Sequence, residues 1–397
     1  MFRHYDIRGK FPEEINSALA NFLAIEFKKF LVKKKFQEKI LIAQDLRPSS
    51  QPLAAAIKKV FPSARLLGSA PTPIFYHLVL KEKKPGVIVT ASHLDPNFNG
   101  FKFFLPNNEI WTYSGQWPKL KPGPDEAEFN FNQKNAAESN PNVYKRYLDD
   151  LKKFFNFKRE HQFNFDRSNQ SANVFLFQLL PKVFPRVKIK PRAKIFVRSD
   201  FDGDRLEIWF DQKKLLTETI LSLFLRDQNY EKIGLPIVLS ERLKEIFPRK
   251  KFYLIRTGHS SFKAAFNRYR LDLAIEPSGH FYFFKEIQTE APLMALLKLF
   301  ALEESEDLDK LIKGFHFQID RFDLNFDQSQ FRFLIKDLTK SFCFKIKRFD
   351  GVELKNDFGR VHLRFSQTEK NRLRVLVEGR ESGRIKKFIQ IWLKKNS

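Results

Sequence analysis

Short apolar runs recur along this chain at residues 40–43, 87–90, 195–197, 237–239, 254–255 and 273–275, most of them separated by helix-like stretches such as 51–61. Each run has the length of a buried strand, and strands that alternate with helices argue for α/β layering. Residues 14–35 show the helical half of the pattern. Ile15, Leu19, Phe22, Leu23, Phe27, Phe30 and Leu31 share one face at helical spacing with lysines opposite, so this helix should pack on a sheet. Past about residue 314 the text changes to alternating strands at 359–365 and 373–377 and a closing helix at 385–393, which suggests a smaller α+β domain. Residues 119–141, rich in Pro, Asn, Gly and charge, read as a linker or a long excursion, with a domain boundary near 140.

At 397 residues the chain exceeds the usual size of one domain, and several domains with large cores are expected. It has no apolar run of about 18 residues or more, and its first residues do not read as a signal peptide, so a soluble cytoplasmic protein is expected. The single cysteine, Cys343, lies in the apolar run 341–344; it excludes an internal disulfide and a thiolate zinc cluster, and it reads as core. The 71 Lys and Arg against 46 Asp and Glu give a formal charge of +25. These cations are scattered rather than gathered in a tail or recognition helix, which argues for solvated surface and against nucleic acid. The 46 Phe read as a compositional habit of the core.

Several polar segments could carry chemistry. Asp200, Asp202 and Asp204 alternate in a loop that follows a strand, with Gly203 allowing a tight turn. Three converging carboxylates repel unless a hard cation neutralises them. An EF-hand is excluded, because Arg205 and Asp211 stand where that loop needs Gly and Glu. The run 86–93 leaves a buried strand and enters a loop with Ser92 and His93 that ends at Asn99, Gly100 and Lys102. Loops at strand C-termini are where open α/β sheets place ligands. A hydrolase triad is not favoured, since the G-x-S-x-G elbow is absent and His93 is poorly placed as a base for its neighbour. Two further clusters, Thr257-Gly258-His259-Ser260 and Glu276-Pro277-Ser278-Gly279-His280, offer groups suited to sugar hydroxyls or phosphate. Arg364, Ser366, Gln367 and Thr368, with Arg374 beyond, could grip a phosphate through amides and a guanidinium fork.

Taken in order, these segments resemble the α-D-phosphohexomutase family, bacterial phosphomannomutase/phosphoglucomutase in particular. The opening Phe2-Arg3-His4-Tyr5-Asp6-Ile7-Arg8-Gly9 resembles F-R-x-Y-D-I-R-G, and Asp45-x-Arg47-x-Ser49-Ser50 resembles D-x-R-x-S-S. Thr90-Ala91-Ser92-His93 with Asn99-Gly100-x-Lys102 matches the family's phosphoserine loop in length, and residues 200–205 reproduce D-x-D-G-D-R. Thr257-x-His259-Ser260 and Glu276-x-Ser278-Gly279-His280 resemble the sugar-binding segments. Arg364-x-Ser366-x-Thr368-Glu369 resembles the phosphate loop.

The resemblance implies three α/β mixed-sheet domains and a C-terminal α+β domain around a central active-site cleft. They are a phosphoserine domain at 1–140, a shortened metal-binding domain at 141–214, a sugar-recognition domain at 215–313 and a phosphate-binding domain at 314–397. It implies an isomerase that interconverts hexose 1-phosphate and hexose 6-phosphate, mannose and/or glucose, through a phosphoserine at Ser92 and a bound glucose or mannose 1,6-bisphosphate. Ser92, Asp200, Asp202 and Asp204 would hold Mg²⁺. Lys102, helped by Arg8, would be the general acid/base, with His93 beside the nucleophile. Arg205, Thr257, Gly258, His259, Glu276, Ser278 and His280 would orient the sugar, and Arg364, Ser366, Gln367, Thr368 and Arg374 would hold the non-reacting phosphate. Small sugar phosphates are the expected partners of a monomer or weak dimer, with no membrane. Phosphoglucosamine mutase and a non-catalytic binder of polyanions or sugar phosphates are the alternatives.

Overall fold

The computed structural model describes residues 7–92, 94–118, 120–123, 140–168, 173–366 and 371–396. Two compact units emerge, one of residues 1–215 and 263–308, the other of 216–262 and 309–397. The chain is a mixed α/β protein, as the alternating apolar runs require.

The first unit begins with a sheet of strands β1 (Ile7–Lys10), β2 (Leu41–Gln44), β3 (Arg65–Ser69), β4 (Gly86–Val89), β5 (Phe98–Phe104) and β6 (Ile110–Trp111). Its order is β1-β5-β4-β2-β3, with β6 on β5. β3, β2 and β4 run parallel, whereas β5 is antiparallel to β4, β1 and β6. The helix predicted over 14–35 runs Ser17–Lys33, capped by Asn16, whose Oδ1 accepts from Leu19 N at 2.9 Å. Leu19, Leu23, Phe27 and Leu31 are fully buried in the core against the sheet. Burying each such side chain contributes about 1.5–3 kcal/mol. Phenylalanine fills this core as expected: the Phe27 ring lies 4.9 Å from Phe103 and 5.1 Å from Trp111.

A second sheet in the same unit contains β7 (His161–Phe165), β8 (Val187–Ile189), β9 (Ile195–Ser199), β10 (Leu206–Phe210) and β11 (Lys213–Lys214), in the order β11-β10-β9-β7-β8. Helices Pro141–Lys152 and Asn173–Val183 belong to this region. The unit is completed by antiparallel strands Leu273–Ile275 and Phe281–Phe283 and the buried helix Pro292–Ser305.

The second unit holds a parallel pair, Lys232–Pro236 beside Lys251–Ile255, and a five-stranded sheet that is antiparallel throughout. Helices Phe331–Phe342 and Ser382–Asn396 bury Leu334, Leu338, Ile385 and Ile389 in its core, giving the α+β region expected past 314. Two expectations are corrected. The run 237–239 follows a strand that ends at Pro236 instead of forming one. Cys343 is exposed: it ends helix Phe331–Phe342 in the left-handed conformation, φ 52°, so the chain turns its side chain out of the apolar run around it. No helix among the described residues is long and apolar enough to cross a membrane. Most of the proposed linker lies outside the described residues.

Candidate active site

Ser92 leaves the end of β4 in the left-handed region, φ 55°, and is 1% exposed. A non-glycine residue there costs about 1–3 kcal/mol, strain that persists only where surrounding contacts enforce it. The contacts are plain. Thr90 Oγ1 accepts from Ser92 N at 2.9 Å, and Arg47 Nη2 donates to Ser92 O at 2.9 Å and also to Leu94 O. Arg47 is itself fully buried and paired with Asp45, whose Oδ1 accepts from Ser50 Oγ at 2.6 Å. Asn99 closes the scaffold by donating to Ser49 Oγ at 2.8 Å and Ser50 Oγ at 3.0 Å. At the next residue a Cβ on Gly100 would stand 2.0 Å from Ile7 O, which is why β5 carries a glycine at this place beside β1.

The same guanidinium reaches the acidic loop. Arg47 stacks over the Phe201 ring at 4.3 Å, so one buried cation holds the carbonyl of Ser92 and the residue between Asp200 and Asp202. The loop joins β9 to β10 through Gly203 at φ 76°. Thr72 fixes it twice, from its N to Asp202 O at 2.8 Å and from its Oγ1 to Asp202 Oδ2 at 3.0 Å. Asn173 donates to Ser199 Oγ at 2.6 Å and Gly203 O at 2.9 Å. Lys102, opposite Ile88 in the β4–β5 ladder, extends Nζ to Asp202 Oδ2 at 2.8 Å and Asp204 Oδ2 at 3.1 Å.

The three aspartates converge, each offering an oxygen within 4.8 Å of the others. Burial, and then the charges of Asp204 and Asp202, hold the Asp200 carboxyl well above the usual carboxylate range. Asp202 Oδ1 is buried without a hydrogen-bond partner. Converging hard oxygens, mutual repulsion and an unsatisfied buried oxygen fit a cation such as Mg²⁺. Arg205 lies at the rim, its Nε 3.5 Å from Asp200 Oδ2.

His280 stands on the other side of the carboxylates. Its Nε2 is 3.3 Å from Asp204 Oδ1 and its Nδ1 is 3.0 Å from Glu276 Oε2, with Ser278 Oγ 2.7 Å from Nδ1. Burial alone would pull the imidazole down, but Asp204 and Glu276 outweigh it and push it up to about 9. The first unit thus contains Ser92, Lys102, Asp200, Asp202, Asp204, Arg205, Glu276, Ser278 and His280. Arg8, also there, sits on β1 opposite Gly100.

The other described residues of the predicted set lie in the second unit. Thr257 and Gly258, at φ 118°, precede the helix that starts at His259. Arg364 and Arg374 face each other across the ladder between strands Gly359–Phe365 and Arg372–Gly379, and Ser366 N donates to Arg372 O at 2.7 Å. His93, Gln367 and Thr368 lie outside the described residues. Thr72 and Asn173 escaped the sequence reading because each acts through a distant partner; the pairing of Thr72 with Asp202 spans 130 positions. Arg47 was visible only as part of a D-x-R-x-S-S pattern.

Comparison with known proteins finds relatives along nearly the whole chain. Residues 1–110 match the family described as phosphoglucomutase/phosphomannomutase, alpha/beta/alpha domain I, and residues 216–316 match domain III of the same description. A phosphomannomutase of Methanocaldococcus jannaschii is 26% identical over 425 residues, covering 93% of this chain and 91% of that protein. A phosphoglucosamine mutase of Prochlorococcus marinus is 40% identical over 108 residues, 26% of this chain and 23% of that protein. A phosphoglucomutase/phosphomannomutase family protein from Burkholderia thailandensis shares the fold at a TM-score of 0.77 and 20% identity, over 99% of this chain and 97% of that one.

Proposed function

Because the chain belongs to the α-D-phosphohexomutase family, we propose that it interconverts hexose 1-phosphate and hexose 6-phosphate, mannose and/or glucose, in the cytoplasm. The observation that carries this reading is the single Arg47 guanidinium that holds Ser92 and stacks on Phe201 inside the acidic loop, with Lys102 bonded to Asp202 and Asp204. Nucleophile, candidate proton carrier and metal ligands are locked into one buried network.

In this mechanism Ser92 carries a phosphoryl group. The free hydroxyl of a hexose phosphate attacks that phosphorus while Lys102, unprotonated for this step, takes the hydroxyl proton. The P–O bond to Ser92 breaks, leaving a hexose 1,6-bisphosphate and the serine oxygen. The bisphosphate turns over, Ser92 attacks the other phosphorus, and Lys102 returns the proton to the departing sugar oxygen. The result is the isomeric monophosphate and a rephosphorylated serine. Phosphoryl transfer depends mainly on positioning and charge neutralisation. Asp200, Asp202 and Asp204 would hold Mg²⁺, which supplies charge stabilisation at the transferring group when bound. Glu276, Ser278 and His280 suit the sugar hydroxyls, since a cationic imidazole between carboxylates both donates and orders acceptors. Arg8 assists Lys102; Arg205, Thr257, Gly258 and His259 complete the sugar contacts, and Arg364, Ser366, Gln367, Thr368 and Arg374 grip the second phosphate.

A phosphomannomutase 26% identical over 93% of this chain supports a mannose or glucose substrate, and a probable phosphoglucosamine mutase of Methanococcoides burtonii, 23% identical over 96% of it, keeps glucosamine as the alternative. Conversion of mannose 1-phosphate, glucose 1-phosphate and glucosamine 1-phosphate should be compared with Mg²⁺ and a trace of glucose 1,6-bisphosphate. Turnover abolished by EDTA supports the reading and ranks the sugars. Absence of turnover with all of them refutes it.

A further inference from the structure

Asp350 belongs to none of the motifs, yet it touches two of them. It occupies the turn between strands Lys345–Arg348 and Val352–Lys355 at φ 48°, followed by Gly351 at φ 121°. A Cβ on Gly351 would come within 2.5 Å of Leu363 O, so the turn is pressed against the strand that carries Arg364. Asp350 Oδ2 accepts from Thr257 N and from Thr257 Oγ1, both at 2.8 Å. Its Oδ1 lies 3.0 Å from Arg364 Nε, with the side chains 7% and 10% exposed. The preceding residues repeat the pairing, the Arg256 guanidinium lying 5.7 Å from the centre of the Phe349 ring.

The chemistry of the fork makes this contact directional. A guanidinium can grip a phosphate in bidentate fashion only through donors on one edge, and rotation about its last bonds otherwise spreads those donors over many directions. A carboxylate on Nε fixes the plane and leaves Nη donors for an anion. It also offsets one positive charge in a half-dry site. The other carboxylate oxygen anchors the segment that contains Thr257.

We propose that Asp350 is a positioning residue that aims the Arg364 guanidinium at a substrate phosphoryl group and ties this grip to the sugar-contacting segment at Thr257. Phosphate recognition and sugar recognition are then set by one side chain. The inference rests on the roles given to Arg364 and Thr257 under the proposed function.

The test uses the full chain with Asp350→Asn, which keeps an acceptor for Thr257 but removes the charge on Arg364, and Asp350→Ala. Circular dichroism establishes folding, titration calorimetry with glucose 6-phosphate in EDTA reads binding without turnover, and kinetics with Mg²⁺ separate KM from kcat. In folded Asp350→Asn the Kd for glucose 6-phosphate and the KM for glucose 1-phosphate should each rise about tenfold, the scale of one charge-assisted hydrogen bond, with kcat within about threefold of native. The same substitution in an Arg364→Ala background should add almost nothing, because its effect passes through that guanidinium. Unchanged Kd in the folded variant, or an undiminished effect without Arg364, overturns the inference. Should the native chain bind glucose 6-phosphate but turn over no hexose phosphate, the mutase reading fails alone and the Kd comparison still decides. Should the native chain fail to bind it, both fall.

Discussion

Lys102 Nζ lies 2.8 Å from Asp202 Oδ2 and 3.1 Å from Asp204 Oδ2, so the ammonium that serves as proton carrier in our account rests on two of the candidate metal ligands. It is 3% exposed, and its charge offsets that of carboxylates which are themselves buried. A Mg²⁺ ion held by Asp200, Asp202 and Asp204 would therefore compete with this lysine for the negative charge of the same carboxylates.

Lys102→Met should accordingly lower turnover by about 10²–10⁴-fold, the usual range for loss of a general acid/base. It should also raise the affinity for Mg²⁺ and widen the gap in melting temperature between Mg²⁺ and EDTA. Calorimetric titration and thermal melts with and without Mg²⁺ check this; a metal affinity equal to native or weaker would contradict it.

The left-handed backbone of Ser92 separates two variants that both lack the hydroxyl. Ser92→Gly should be more stable than Ser92→Ala by about 1–2 kcal/mol, because glycine adopts that conformation without a Cβ clash. Urea denaturation of the pair, both expected to be inactive, measures the difference.

Gly100→Ala places a Cβ against Ile7 O in the β1–β5 ladder. Overpacking of this kind costs about 1–3 kcal/mol, and the displaced strand carries both Asn99 and Lys102. Stability and turnover should fall together, whereas an alanine that left both unchanged would show that the approach is not required.

His161, at the start of β7, lies 2.7 Å from Glu303 and 2.6 Å from Glu304 on helix Pro292–Ser305, with its ring stacked on Phe300. Burial would lower this imidazole, but the hydrogen bonds to Glu303 and Glu304 outweigh it and raise it above the ordinary 6.5. A group raised on folding stabilises fully below its unfolded value and loses that contribution as pH rises through the folded one. Thermal melts should show native stability declining from pH 6.5 upward more steeply than that of His161→Gln; parallel profiles would contradict this.

Much of the fold was legible because strand and helix periodicities are local. The helix at Ser17–Lys33 and the strands Gly359–Phe365 and Leu273–Ile275 follow from apolar spacing alone. The convergence of the three aspartates was also legible in the acidic loop, whereas Ser92 and Lys102 were marked as candidates only by the resemblance of their segments to a family. What holds those groups was not legible. Asp350 and Thr257 are 93 positions apart, and nothing in either segment marks the other as its partner. Cys343 misled for a related reason: its apolar neighbours describe a composition, whereas its exposure follows from a left-handed helix end.

The central claim is that Ser92 receives and returns the phosphoryl group. Dephosphorylated native protein and Ser92→Ala should be incubated with glucose 1,6-bisphosphate carrying radiolabelled phosphate and Mg²⁺, and the label on the protein followed by peptide mapping. The account predicts label on the native chain at Ser92, its loss to added hexose 1-phosphate, and none on the variant. Label retained by Ser92→Ala, or turnover of hexose phosphate by a native chain that never becomes labelled, would contradict it.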